Sequence, residues 1–410
     1  MTIGGAHRTD ETRRAAMILT VGLFFLWGVA NNLNDVLIAH FKALFSLDDL
    51  QSGLVQSAFY LGYFCFAIPA AVVMRRFGYK TAVVAGLLLF GGGALLFWPA
   101  SVALSYGFFL VALFVIASGL AFLETAANPM VAALGSAATA ERRLNFAQGF
   151  NPLGSITRDA IGASFILSDV HAAPVVRAAA VRGPYLLIAG VVLAWAALIV
   201  VTRFPAAATE VEQGHAPGAY RALLARPRYL SGVAAQFFYV GAQVGVWSFL
   251  IRYTAVALPA VGTREAAWLL TGSLVLFMAG RFAGSALMAR VSGARLMLAF
   301  ALIDAALCLI AVVAGGWIGV GALVATSAFM SIMYPTIFVL SLRGLGPLTK
   351  PGASLIVMAI IGGAVLTAAM GLISDVSGTI RLAMLVPAVC FAVVALFAAS
   401  HIRDRVEATA

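Results

Sequence analysis

The chain has 410 residues, of which 62% are hydrophobic and only 10% charged, with a net charge of +10 and a mean hydropathy of +1.01. Soluble domains run at about 45–50% apolar and about 25% charged, so no soluble core could hide this much apolar surface, and the composition is that of an integral membrane protein. The basic excess would point to nucleic acid in a soluble protein; here its simpler cause is the gathering of Lys and Arg on cytoplasmic loops.

In lipid the backbone must be satisfied within helices or closed barrels. The apolar runs are continuous rather than alternating, so the expected fold class is all-α. About 20 apolar residues cross a bilayer. Twelve transmembrane helices are predicted, at 17–41, 52–74, 80–99, 104–135, 143–168, 184–203, 229–256, 265–290, 295–315, 317–343, 351–375 and 382–401. The first run is too long for a cleaved signal and is expected to be retained as a span. The segment 204–228, with Glu210, Glu212, His215, Pro217 and Arg221, is the one clear linker. It separates an N-terminal six-helix bundle, 1–203, from a C-terminal one, 229–410. Most of the 26 Lys and Arg, Arg281 counted among them, fall on one side of this scheme. Both termini are therefore expected in the cytoplasm.

The halves resemble each other weakly. RRFGYK at 75–80 and RVSGAR at 290–295 both fit R-x-x-G-x-[KR] and lie 290 − 75 = 215 residues apart. FFLWG at 24–28 and FFYVG at 237–241 repeat at 237 − 24 = 213. Two coincidences at nearly one offset point to parallel, pseudo-symmetric halves, an arrangement that binds substrate between them near mid-membrane.

Ionisable residues inside spans carry the functional argument, because each is costly in lipid. Trp27, Asn31 and Asp35 share one helix face at i, i+4 and i+8, flanked by Asn32. An aromatic with amides and a carboxylate suits a sugar: a flat face to stack on, and paired donors and acceptors for vicinal hydroxyls. Helix–helix hydrogen bonding explains one such Asn better than three beside an Asp. Glu124, in SGLAFLETAANP with Asn128 one turn on, is a candidate proton carrier; the structural alternative is an acid bonded permanently to Asn128 or a neighbouring helix. Further polar stripes are Gln56, Tyr60 and Tyr63; Gln148, Asn151 and Arg158; Gln236, Tyr239, Gln243 and Trp247; and Ser327, Ser331 and Tyr334. Each alone could be packing. Together they suit a water-filled cavity for a neutral, polyhydroxylated ligand.

Other chemistry has no support. No G-x-x-x-x-G-K-[ST] occurs, so ATP is not expected to drive the protein. The histidines fall at loops or span ends, and Cys65, Cys308 and Cys390 lack metal-like spacing, so no metal or cofactor is expected beyond a proton as coupling ion. No nucleophile–base constellation marks an enzyme.

At the residues just quoted the chain resembles the fucose–galactose–glucose:proton symporter family of the major facilitator superfamily. The matching stretches are FFLWGVANNLND (24–35), QSGLVQSAFYLGYF (51–64), LETAANP (123–129), LNFAQGFN (144–151), AQFFYVGAQ (235–243), AFMSIMYPTIF (328–338) and IVMAIIGG (356–363), in family order over nearly the whole chain. The resemblance implies a major facilitator fold, an inner-membrane location and proton-coupled import of a neutral sugar, L-fucose first. It places proton coupling on Asp35 and Glu124, and the sugar on Trp27, Asn32, Gln148, Asn151 and Tyr334. SITRDAIG (155–162) departs from the family, which is apolar where Arg158 and Asp159 stand. A self-neutralised structural pair is favoured over a shift toward an anionic sugar. Asp304 is also unmatched and is expected to be a protonated or paired packing residue. Glucose, galactose or a sugar acid as cargo, sodium as coupling ion, and a proton-driven drug exporter are the alternatives. The expected partners are the sugar and the bilayer, with no nucleic acid, and a monomer is expected.

Overall fold

The computed structural model describes residues 3–31, 41, 44–47, 49–154, 174–209 and 218–407. Among them the regular structure is helical, with no strand. The principal helices are α1 (Ile3–Asn31), α2 (Asp49–Leu95), α3 (Tyr106–Ala133), α4 (Ala140–Gln148), α5 (Arg182–Val201), α6 (Pro227–Ala257), α7 (Thr263–Leu287), α8 (Gly293–Ala314), α9 (Gly316–Met330), α10 (Met333–Leu342), α11 (Thr349–Met358), α12 (Gly362–Ser377) and α13 (Leu385–Glu407).

Nine helical stretches among the described residues are long and apolar enough to cross a membrane. One of them, Leu54–Val102, has 49 residues, about twice what a bilayer needs. It breaks at Gly78, where φ is 81° and ψ 171°, a backbone that a β-carbon forbids. Gly78 thereby makes two spans of one helical run, matching the predicted 52–74 and 80–99. With the shorter apolar helix Arg14–Gly28 of α1, the stretches match eleven of the twelve predicted spans; the remaining one, 143–168, is described only to residue 154.

Contacts divide the chain into two compact units. The first holds α1, α2, α3, α5 and α11; the second holds α4, α6 to α10, α12 and α13. In the first, α2 packs along α3, while α5 and α11 also lie against α2. Every residue of α3 from Ile116 to Val131 is buried, as expected of a helix that is apolar all round. Glu124 sits in the middle of that stretch. In the second unit, residues of α6, α8, α9, α10 and α13 form one apolar core around Tyr239, Met330 and Phe391.

Candidate functional site

In the first unit, Glu124 is 4% exposed. The buried hydroxyl of Tyr63 on α2 lies close enough to interact electrostatically with its carboxyl and accepts from Trp27 Nε1 on α1 at 3.1 Å. Phe24 stacks beside Trp27, ring centroids 5.8 Å apart. Residues from three helices thus meet here: Trp27 bonded to Tyr63, with Glu124 beside the same hydroxyl. Asn128, one turn further along α3, is fully buried. Pro129 follows it and has no N–H to offer the Thr125 carbonyl four residues back, so main-chain polarity is left beside the acid.

In the second unit, the ionisable residue at the centre is Arg281 on α7, 4% exposed. Its Nε donates to the Ser331 carbonyl at 2.7 Å and its Nη1 to the Gln148 carbonyl at 3.0 Å. The guanidinium also lies beside the Tyr239 hydroxyl and 4.4 Å from the centroid of Phe277. Phe277 meets Trp247 edge to face at 5.0 Å, and Trp247 Nε1 donates to Ser327 Oγ at 3.1 Å. Tyr239 donates to the Met330 carbonyl at 3.0 Å and packs against Tyr334 at 6.3 Å. Asn145 Nδ2 donates to the Glu141 carbonyl at 2.9 Å and to Thr336 Oγ1 at 3.2 Å, tying α4 to α10. Glu141 also pairs with Arg343.

The expected site residues fall into three groups. Trp27 and Glu124 both lie against Tyr63 in the first unit. Gln148, Asn151, Gln243 and Tyr334 all belong to the second; Gln148 and Tyr334 are buried, Asn151 and Gln243 half-buried. Asn32, Asp35, Arg158 and Asp159 lie outside the described residues, as does the side chain of Asn31.

Two expectations need correction. Arg281 is expected to add to the cytoplasmic excess, yet it is buried inside its span, where its side chain donates to the main-chain carbonyls of Ser331 and Gln148. The stripe on α6 is also not wholly a cavity face. Tyr239 is fully buried, and so is Gln236, neither of whose amide atoms has a hydrogen-bond partner. Asp304 on α8 is fully buried as expected of a packing residue, but it is not paired: neither carboxyl oxygen has a hydrogen-bond partner.

Two buried polar clusters within apolar spans, one built on an acid and one on a guanidinium, are what a membrane carrier for a polar solute needs. The chain belongs to the major facilitator superfamily, whose family model matches residues 16–347. It is 46% identical over 400 residues to the L-fucose-proton symporter of Escherichia coli K12, covering 93% of this chain and 91% of that protein. It is 38% identical over 387 residues to a glucose/galactose transporter of Brucella abortus, covering 92% and 91%. A crystal structure of the facilitator FucP in the outward conformation superposes with a TM-score of 0.87 at 44% identity, covering 94% of this chain and 98% of that one.

Proposed function

We propose that this chain imports a neutral monosaccharide, L-fucose first, together with a proton, by alternating access across the inner membrane. The observation that carries this is Glu124, buried at the middle of a helix stretch that is buried throughout and beside the Tyr63 hydroxyl, which accepts from Trp27, in a chain so similar over its length to a fucose-proton symporter. Facing out, Glu124 and Asp35 are reached by water and at least one takes up a proton. Sugar then binds among Trp27, Asn31, Asn32, Gln148, Asn151, Gln243 and Tyr334. Neutralising the carboxyl removes the cost of closing over a buried charge. Facing in, sugar and proton leave. The membrane potential contributes about 2.3 kcal/mol per charge per 100 mV, enough to concentrate a neutral sugar. The chain works as a monomer with both termini in the cytoplasm, without cofactor or metal, and catalyses no covalent chemistry.

A second cargo reading, glucose or galactose, is favoured by the similarity to the Brucella abortus transporter. Uptake of a labelled sugar panel into proteoliposomes, with and without an inward proton gradient, separates the two. L-Fucose accumulation that collapses with a protonophore supports the first reading. Accumulation of glucose or galactose alone replaces the cargo and keeps the mechanism. Uptake that follows a sodium gradient and ignores the protonophore overturns the coupling. A sugar acid moving in place of every neutral sugar returns Arg158 to the cavity.

A further inference from the structure

We propose that Arg281 is a positioning residue of the sugar path, supplying two backbone donors that Pro152 and Pro335 withhold. In a helix each carbonyl accepts from the N–H four residues on. The residue four after Gln148 is Pro152, and the residue four after Ser331 is Pro335. Proline has no N–H, so both carbonyls lose their helical donor. These are the two carbonyls that the Arg281 side chain takes, Gln148 through Nη1 at 3.0 Å and Ser331 through Nε at 2.7 Å. One guanidinium therefore repairs two proline breaks, on α4 with its continuation and on α9–α10.

The placement has a local cause. Gly280 precedes Arg281, and a β-carbon there would collide with the Ala328 carbonyl of α9. Glycine lets α7 approach the end of α9 closely enough for the next side chain to reach Ser331. Arginine suits the task for three reasons: its donors sit in a rigid fork, its charge is permanent, and its flat face stacks on Phe277. No carboxylate forms an ion pair with it among the described residues. Its role is therefore geometric, toward the main chain.

Function enters through what stands beside each proline. Asn151 precedes Pro152 and Tyr334 precedes Pro335. The angle at each break sets where these side chains point, so fixing both breaks on one rigid group sets Asn151 and Tyr334 in register. This step rests on the proposed role of those two residues in sugar binding.

The test uses the full-length carrier in two measurements. The first is transport by Arg281→Lys, which keeps the charge but offers donors from a single point. Expected is a KM for L-fucose raised about tenfold, the consequence of losing one charged hydrogen bond, with Vmax per folded molecule little changed. A wild-type KM, or a loss of uptake that vanishes once folded protein is counted, overturns the positioning role. The second is a thermal-unfolding cycle that needs no sugar. Arg281→Met should lower Tm clearly in the wild-type background and less in the Pro335→Ala background, where a main-chain N–H returns to Ser331. An equal loss in both backgrounds overturns the repair of the break. If the wild-type carrier moves no sugar, the sugar reading falls, while the unfolding cycle still decides whether Arg281 mends the prolines.

Discussion

In the first unit the buried ionisable group, Glu124, lies beside the side chain of Tyr63, which in turn accepts from Trp27. In the second, Arg281 is held chiefly by main-chain carbonyls at Gln148 and Ser331. A hydroxyl can donate to a carboxylate or accept from the protonated acid, so Tyr63 suits a group that changes charge. A carbonyl only accepts, so Arg281 suits its partners in one state alone, and that state is permanent. Under the proposed roles the contrast separates exchangeable charge in the first unit from fixed geometry in the second. Proline marks both. Pro129 leaves the Thr125 carbonyl beside a titratable acid, whereas Pro152 and Pro335 leave carbonyls that a fixed cation takes.

The comparison breaks first, and most visibly, at Glu124. Glu124→Gln fixes the neutral form, so sugar exchange down a gradient should persist while accumulation against a gradient is abolished. Counterflow and proton-driven uptake in the same proteoliposomes measure the two. If the variant still concentrates sugar, the exchangeable charge lies elsewhere, with Asp35 the remaining expected carrier.

Tyr63→Phe sharpens the contrast at smaller cost. It removes the acceptor of Trp27 Nε1 and the hydroxyl beside Glu124 together. An unsatisfied buried donor costs about 1–3 kcal/mol, so the KM for sugar should rise about tenfold and accumulation should weaken without vanishing. A KM shift matched by an unchanged accumulation ratio would mean that Tyr63 only shapes the sugar face and takes no part in coupling.

How far these features were legible before the structure depends on what decides each of them. The spans were legible because bilayer thickness sets the length of an apolar run, and the Gly78 break because its two flanks are each one span long. Glu124 was legible because a carboxylate in lipid needs a reason. Arg281 was misassigned, although it lies inside the predicted span 265–290, where the same rule applies to it. Counting basic residues by side gave an inner guanidinium to the loops. A second signal stood in the sequence as well: Asn128–Pro129, Asn151–Pro152 and Tyr334–Pro335 each announce a carbonyl without its donor. Which donor arrives was not legible, because α7 reaches Ser331 through close approaches to a helix distant in sequence, at Gly280 against Ala328 and Gly284 against Ile332. Gln236 and Tyr239 illustrate the same limit. Their spacing on α6 marks a face, but helices distant in sequence decide whether that face meets water or core.

Asp304 is where the division between the units could fail with the least disturbance to transport. It lies on α8, fully buried, neither oxygen hydrogen-bonded, with buried Cys308 one turn on. A polar group so placed destabilises, and replacing it by an apolar side chain with the same branching removes the penalty, worth about 1–3 kcal/mol. Asp304→Leu should therefore raise Tm and leave KM, Vmax and accumulation unchanged. Asp304→Asn, which keeps two unmet polar atoms, should gain less. Thermal unfolding with uptake on the same preparations decides. If Asp304→Leu folds well but loses accumulation, the second unit also carries an exchangeable acid, and its chemistry is not confined to the fixed charge of Arg281.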